Sequence, residues 1–183
     1  MVLTYNGDVF PSYYHATCAG YTEDAANLWN VDIQPLKGSP CIYCYRSPHF
    51  FWTKEIKLKD FEAKLHDGGY NVGSVQSVKV LSKNKSGRAD KIEVKDAAGV
   101  SYVLTAKDFR QIFGPNVIRS TKFGVYIRSG NVVISGKGWG HGVGMCQWGA
   151  FGQSKKGKEY DEILKYYYPG TQITDIKKLP LLK

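Results

Sequence analysis

No run in this chain of 183 residues approaches the roughly 18 consecutive apolar residues that a membrane helix needs, so a helical span is excluded. No internal repeat and no low-complexity linker divides it, which excludes a repeat array. Cysteine is scarce, and four in the whole chain are too few for a disulfide scaffold. No dense basic run and no nucleic-acid motif occurs, so nucleic acid is not an expected partner. The opening residues Met1-Val2-Leu3-Thr4-Tyr5-Asn6-Gly7-Asp8-Val9-Phe10 lack both a basic start and the apolar core of a leader. They read instead as a strand, a turn at Asn6-Gly7-Asp8, and a second strand through Tyr14. A chain that opens in mid-hairpin is expected to be the back part of something longer.

What is present is globular material, 43% hydrophobic and 22% charged, enough for one domain with a packed core. The aromatic share of 14% hints at a surface that stacks on rings, although aromatics mostly fill cores. Charge is unevenly spread. Residues 1–50 hold 2 basic and 4 acidic side chains, whereas residues 51–183 hold 23 basic and 12 acidic. A basic surface attracts polyanions, anionic wall material among them, or is simply a solvated face.

The periodicity predicts an α+β fold: a single β-rich domain with several short helices and a loop-rich segment at residues 15–50. Strands are expected at Val75–Leu81, Lys91–Val94 and Ser101–Leu104, and a hairpin at Phe123–Arg128 with Val132–Ser135. Short helices are expected near Leu58–Leu65, Lys107–Phe113, Gly142–Gly152 and Tyr160–Tyr167.

Two features carry chemistry. His15-x-x-Cys18 is followed, after 22 intervening residues, by Cys41-x-x-Cys44. Each two-residue spacer lets a tight turn aim two soft ligands at one point, which fits a closed Cys3His zinc site of His15, Cys18, Cys41 and Cys44. A disulfide from Cys18 to Cys41 or Cys44, or buried thiols, stays open beside it. The second feature is Gly136-Lys137-Gly138-Trp139-Gly140-His141-Gly142-Val143-Gly144-Met145-Cys146-Gln147-Trp148-Gly149-Ala150, with six glycines in fourteen residues from Gly136 to Gly149. Such a density lets backbone approach a ligand or another segment closely. It matches neither a phosphate loop nor a dinucleotide fingerprint. His141 sits where it contacts substrate or holds the loop.

This block, with Tyr160-x-Glu162-Ile163-Leu164-x-x-Tyr167-Tyr168-Pro169-Gly170-Thr171, resembles the C-terminal signature of the stage II sporulation protein D (SpoIID/LytB) domain family. Earlier pieces agree in family order: Tyr14-His15-x-Thr17-Cys18-x-Gly20-x-Thr22-Glu23, Ser47-Pro48-His49-Phe50-x-Trp52, Ser86-Gly87-Arg88 and Arg119-Ser120-x-x-Phe123. The resemblance implies a cell-wall protein outside the cytoplasm: a lytic transglycosylase that cuts peptidoglycan to 1,6-anhydro-N-acetylmuramic acid ends, or an amidase enhancer that assists a wall amidase. It also implies a zinc-carrying member.

By the same resemblance, the family's catalytic glutamate lies upstream of the opening hairpin and has no counterpart here. Residues 1–183 would then be the C-terminal portion of the domain and carry no catalytic acid, and of the glutamates present Glu23 is the best placed. Substrate contacts are expected from Glu23, Arg46, Trp52, Trp139, His141 and Gln147, with Tyr14 and Trp148 as further ring candidates. Arg88 reads as one half of a surface ion pair.

Overall fold

The computed structural model describes residues 1–179. It has the expected α+β composition and divides into two compact units, Met1–Ser47 with His141–Lys183, and Pro48–Gly140. The first unit begins with β1 (Val2–Tyr5), β2 (Asp8–Val9), β3 (Tyr14–His15), β4 (Gly20–Tyr21), α1 (Ala26–Trp29) and β5 (Pro40–Cys41). The second unit follows with β6 (Phe51–Lys57), α2 (Leu58–Asp67), β7 (Val75–Lys83), β8 (Ala89–Asp96), β9 (Ser101–Thr105), α3 (Ala106–Phe113), β10 (Phe123–Arg128) and β11 (Asn131–Lys137). The chain then returns to the first unit with β12 (Met145–Cys146), α4 (Gln147–Ser154), α5 (Tyr160–Tyr167) and β13 (Gln172–Thr174). Among the described residues, no helix is long and apolar enough to cross a membrane.

The second unit is built on two antiparallel sheets, β7-β8-β9 and β10-β11-β6. Alternation along β7 and β8 buries Val75, Val78, Ile92 and Val94 on one face, where Leu104 of β9 joins them. The hairpin of β10 and β11 forms as expected and carries β6 on its other side, with Trp52 opposite Gly136. β6 escapes a sequence reading because it is a charged edge strand. Only Trp52 is buried and Ile56 half-buried in Phe51–Lys57, and Phe51, Thr53, Lys54, Glu55 and Lys57 are exposed. Helices α2 and α3 close the core through Phe61, Leu65, Phe109 and Phe113, and the Phe61 and Phe113 rings stack at 4.8 Å. Each such buried ring contributes about 2–3 kcal/mol. The Thr105 hydroxyl caps α3 by accepting from the Asp108 N–H, and Gly114 ends it at φ +87° ahead of Pro115. Arg88 is buried in this unit at 1% exposure, not at the surface as its sequence context suggested.

In the first unit β1 lies between β13 and β2, all antiparallel, with Leu3 opposite Ile173. The expected second strand does not run through to Tyr14. It stops at Val9, ahead of Pro11, and Tyr14–His15 pairs instead in parallel with Met145–Cys146. The helix expected from Gly142 starts only at Gln147, because Gly142 and Gly144 hold φ of +93° and +70°, outside helical space. Helix α5 spans the expected residues, and Glu159 and Glu162 form a reciprocal capping box at its start.

The close seat of Trp52 over Gly136 gives a paired test. A Cβ on Gly136 would lie 2.2 Å from the Trp52 ring, whereas one on Gly124 meets nothing within 4 Å. Gly136→Ala is expected to cost about 3 kcal/mol by overpacking and Gly124→Ala less than about 0.5 kcal/mol. Thermal melts of both variants check this, and equal melting temperatures would contradict the packing.

Candidate functional site

The first unit gathers four buried cysteines. The ligand atoms of Cys18, Cys41, Cys44 and Cys146 all lie within 4.8 Å of one another, and the Cys18 and Cys44 sulfurs are 3.6 Å apart. None of the four forms a disulfide. Three are the cysteines of the expected zinc set, and the fourth is Cys146 in place of His15. The His15 ring is turned elsewhere: its Nδ1–H donates to the Val143 carbonyl at 3.1 Å, and it meets the His141 ring edge-on at 5.7 Å.

Backbone donors converge on Cys146. The N–H groups of Cys18 and Gly149 both reach its sulfur at 3.3 Å, so Cys146 caps α4 with sulfur where a serine or aspartate would ordinarily stand. The Tyr167 hydroxyl lies 3.1 Å from the Cys41 sulfur. Gly149 permits that approach, since a Cβ there would stand 2.0 Å from the Tyr167 oxygen and 2.6 Å from the Cys41 sulfur. Crowding splits the thiols: Cys44 is pulled down by hydrogen bonds from Cys146 and Cys18, while Cys18 is pushed up, chiefly through its bond to Cys146. Four sulfurs this close cannot all ionise without a cation among them, and soft thiolates at tetrahedral spacing suit a divalent metal.

The glycine loop leads into this cluster and organises a second group. Val143 is the hinge between two imidazoles: its N–H donates to His141 Nδ1 at 3.1 Å, and its carbonyl accepts from His15 Nδ1. The backbone of one residue therefore sets the tautomer of both rings, with the His141 proton on Nε2 and the His15 proton on Nδ1. Gly144 brings the loop against the Tyr13 carbonyl, which a Cβ would approach to 2.0 Å. The Tyr168 hydroxyl donates to that same carbonyl at 2.5 Å, and burial pushes its pKa up to about 12. Around His141 stand Trp29 at 5.1 Å, and Tyr13 packed on Trp29 at 4.7 Å; each of these two rings is 37% exposed. Nothing local in the sequence marks either ring.

Glu23 lies beside this group at 1% exposure. Its N–H donates to the Gly142 carbonyl at 2.8 Å, and its Oε1 accepts from the Asp24 N–H and the Asn27 amide. That is the geometry of a tether between α1 and the glycine loop. Arg46 is exposed with its guanidinium against the Tyr45 ring, and Gln147 is exposed at the start of α4. In the second unit, half-buried Trp139 packs edge-on against His49 at 4.5 Å and under Arg119 at 5.1 Å. Desolvation, and then the Arg119 charge, hold the His49 pKa down. Trp52 is a correction: it is 7% exposed within the core beside Phe123, so its ring faces are spent on packing.

A family model described as a domain of unknown function (DUF8618) matches residues 43–144. An uncharacterized protein of Brachyspira hyodysenteriae is 33% identical over 97% of this chain and 47% of its own length. Stage II sporulation protein D of Bacillus subtilis is 33% identical over 95% of this chain and 48% of its own. The amidase enhancer of Bacillus subtilis is 26% identical over 94% of this chain and 31% of its own. The chain belongs to the DUF8618 family and, with these relatives, to the proteins like stage II sporulation protein D. It spans about half the length of the first of the curated relatives it matches.

Substitution separates the two ligand sets. Cobalt(II), whose thiolate absorption reports sulfur ligands, is expected to saturate the protein at about one equivalent with a four-thiolate spectrum. Cys146→Ser is expected to weaken binding at least about tenfold and blue-shift the bands, while His15→Gln leaves both unchanged. The reverse pattern would restore His15 as the ligand.

Proposed function

We propose that residues 1–183 form the C-terminal part of a SpoIID-like protein that works on peptidoglycan outside the cytoplasm, and that the first unit holds a glycan strand. The observation that carries this reading is the group of Tyr13, Trp29 and His141 beside the glycine loop, in the segment where the family resemblance is densest. Half-exposed rings stack on sugar faces, and a fixed imidazole orients a hydroxyl. Gln147 and Arg46, both exposed, are suited to an acetamido group and a carboxylate.

The reaction proposed for the whole protein is lytic transglycosylation. A carboxylic acid protonates the glycosidic oxygen beyond N-acetylmuramic acid. The sugar's 6-hydroxyl then attacks C1, loses its proton to the same carboxylate, and closes a 1,6-anhydro ring without consuming water. Glu23, held by two donors and buried, serves in this scheme to position the loop, and the acid comes from a segment outside these 183 residues. A second reading, a non-catalytic glycan-binding module that assists a wall amidase, draws support from the amidase enhancer relative.

The cysteine cluster is proposed as a structural zinc site. A tetrahedron with metal–sulfur bonds of about 2.3 Å has edges of about 3.8 Å. The 3.6 Å between Cys18 and Cys44 matches that edge, and the 4.8 Å limit on all four is too tight for a multinuclear cluster. Zinc would fix the start of α4 and hence the glycine loop that precedes it, with release of thiol protons on binding.

Co-sedimentation with purified glycan strands tests the glycan reading. The chain is expected to sediment with the strands and to release no anhydro ends detectable by mass spectrometry. Trp29→Ala is expected to cut the bound fraction at least about fivefold. Anhydro products made by the chain alone would overturn the assignment of the acid, and unchanged binding by Trp29→Ala would overturn the placement of the sugar.

A further inference from the structure

The excess positive charge of this protein is concentrated in one unit. Residues 48–140 hold 16 lysines and arginines against 8 aspartates and glutamates, which is +8 of the chain's +9. Within that unit the outer face of the β10-β11-β6 sheet carries a groove of about 340 Å³. Its floor follows from strand register: Gly124 pairs with Ser135, and Ser135 with Thr53, so three small residues lie in a row across the sheet. A Cβ on Gly124 would meet nothing within 4 Å, so that floor is open. Trp52 and Phe123 close it from below, both buried.

The rim is basic. Lys83, Lys122 and Lys137 line the groove, and no aspartate or glutamate is among its described lining residues. Lys122 lies across Gly87, whose Cβ would stand 3.5 Å from the Lys122 Cε. The Lys137 ammonium rests 5.0 Å over the ring of Phe51, the one lining aromatic that is well exposed, at 67%. Three lysines around a trough of small residues, with no carboxylate among the described lining, give the groove a positive potential that suits an anion.

The chemistry narrows the anion. Lysines act as compact point charges and suit phosphate oxygens, whereas planar carboxylates are best matched by arginine forks, and no arginine is among the described lining residues. Bases need free aromatic faces on which to stack. Here Lys137 covers one face of Phe51, and the other two rings are buried, so at most one ring face is open to a base. We propose that this groove binds the phosphates of a phosphodiester polymer without aromatic bases, such as a polyol phosphate chain. The binding is separate from any glycan contact in the first unit.

Binding by the whole chain is measured by fluorescence anisotropy over a salt series, with three probes of equal charge. These are labelled poly(glycerol phosphate), poly-L-glutamate and a single-stranded DNA oligonucleotide. The phosphate polymer is expected to bind at least about tenfold tighter than either of the others. Replacing Lys83, Lys122 and Lys137 together with Gln is expected to lower that affinity at least about tenfold and to reduce the salt slope by about one per lysine. A control with Lys59, Lys91 and Lys95 replaced by Gln removes the same charge from exposed positions outside the groove and is expected to stay within about threefold. Lys137→Gln alone, with an unchanged melting temperature, guards against a folding defect and is expected to lose about threefold. Equal losses in the two triple variants, tighter binding of DNA or polyglutamate, or no binding of poly(glycerol phosphate) would each overturn the proposal. None of these outcomes bears on sedimentation with phosphate-free glycan strands.

Discussion

Four sulfur atoms drawn to one point bring together the distant segments of the first unit. Cys18 follows β3, Cys41 ends β5, Cys44 lies three residues on, and Cys146 sits between the glycine loop and α4. These stretches are separated by up to 128 positions in the chain, so the cluster closes long loops that no local helix or strand propensity would close. Its geometry propagates outward. Cys146 caps α4 through the Gly149 N–H, and three residues upstream the Val143 backbone sets two histidines. The glycines of this stretch are needed because backbone is pressed against backbone and sulfur, with Gly144 on Tyr13 and Gly149 on Cys41.

Much of this was legible in the sequence. The strands around Val78, Ile92 and Phe123 and the helix at Tyr160–Tyr167 follow from alternation and caps, because their burial is one-sided and local. The cysteine cluster was three-quarters visible. Cys41-x-x-Cys44 and Cys18 announce themselves by spacing, but Cys146 lies in a glycine block whose other features dominate it, and His15 sits at ligand spacing from Cys18. Only tertiary pairing separates them: β3 lies beside β12 with His15 opposite Cys146, and the His15 imidazole turns to Val143. Trp29 was illegible for the same reason, since its partner His141 is more than 100 positions away, and Tyr13 joins the group only through Trp29. Trp52 misled in the opposite sense, because an aromatic beside a family motif can still belong to the core.

The two units divide the protein's physical labour by charge. The first is nearly neutral and carries its aromatic rings beside fixed histidines, a surface suited to uncharged sugar faces. The second holds almost all of the excess positive charge and presents lysines around a trough of small residues. On the proposed reading the protein meets both neutral glycan and anionic polymer, and a basic unit would raise the local concentration of the latter.

The central claim is that Cys18, Cys41, Cys44 and Cys146 together hold one metal ion. X-ray absorption at the zinc edge tests it on the protein as purified with zinc. The account predicts a single shell of four sulfurs at about 2.3 Å and no nitrogen ligand. A shell of three sulfurs with a nitrogen at about 2.0 Å, or a protein that retains no zinc after dialysis, would contradict it.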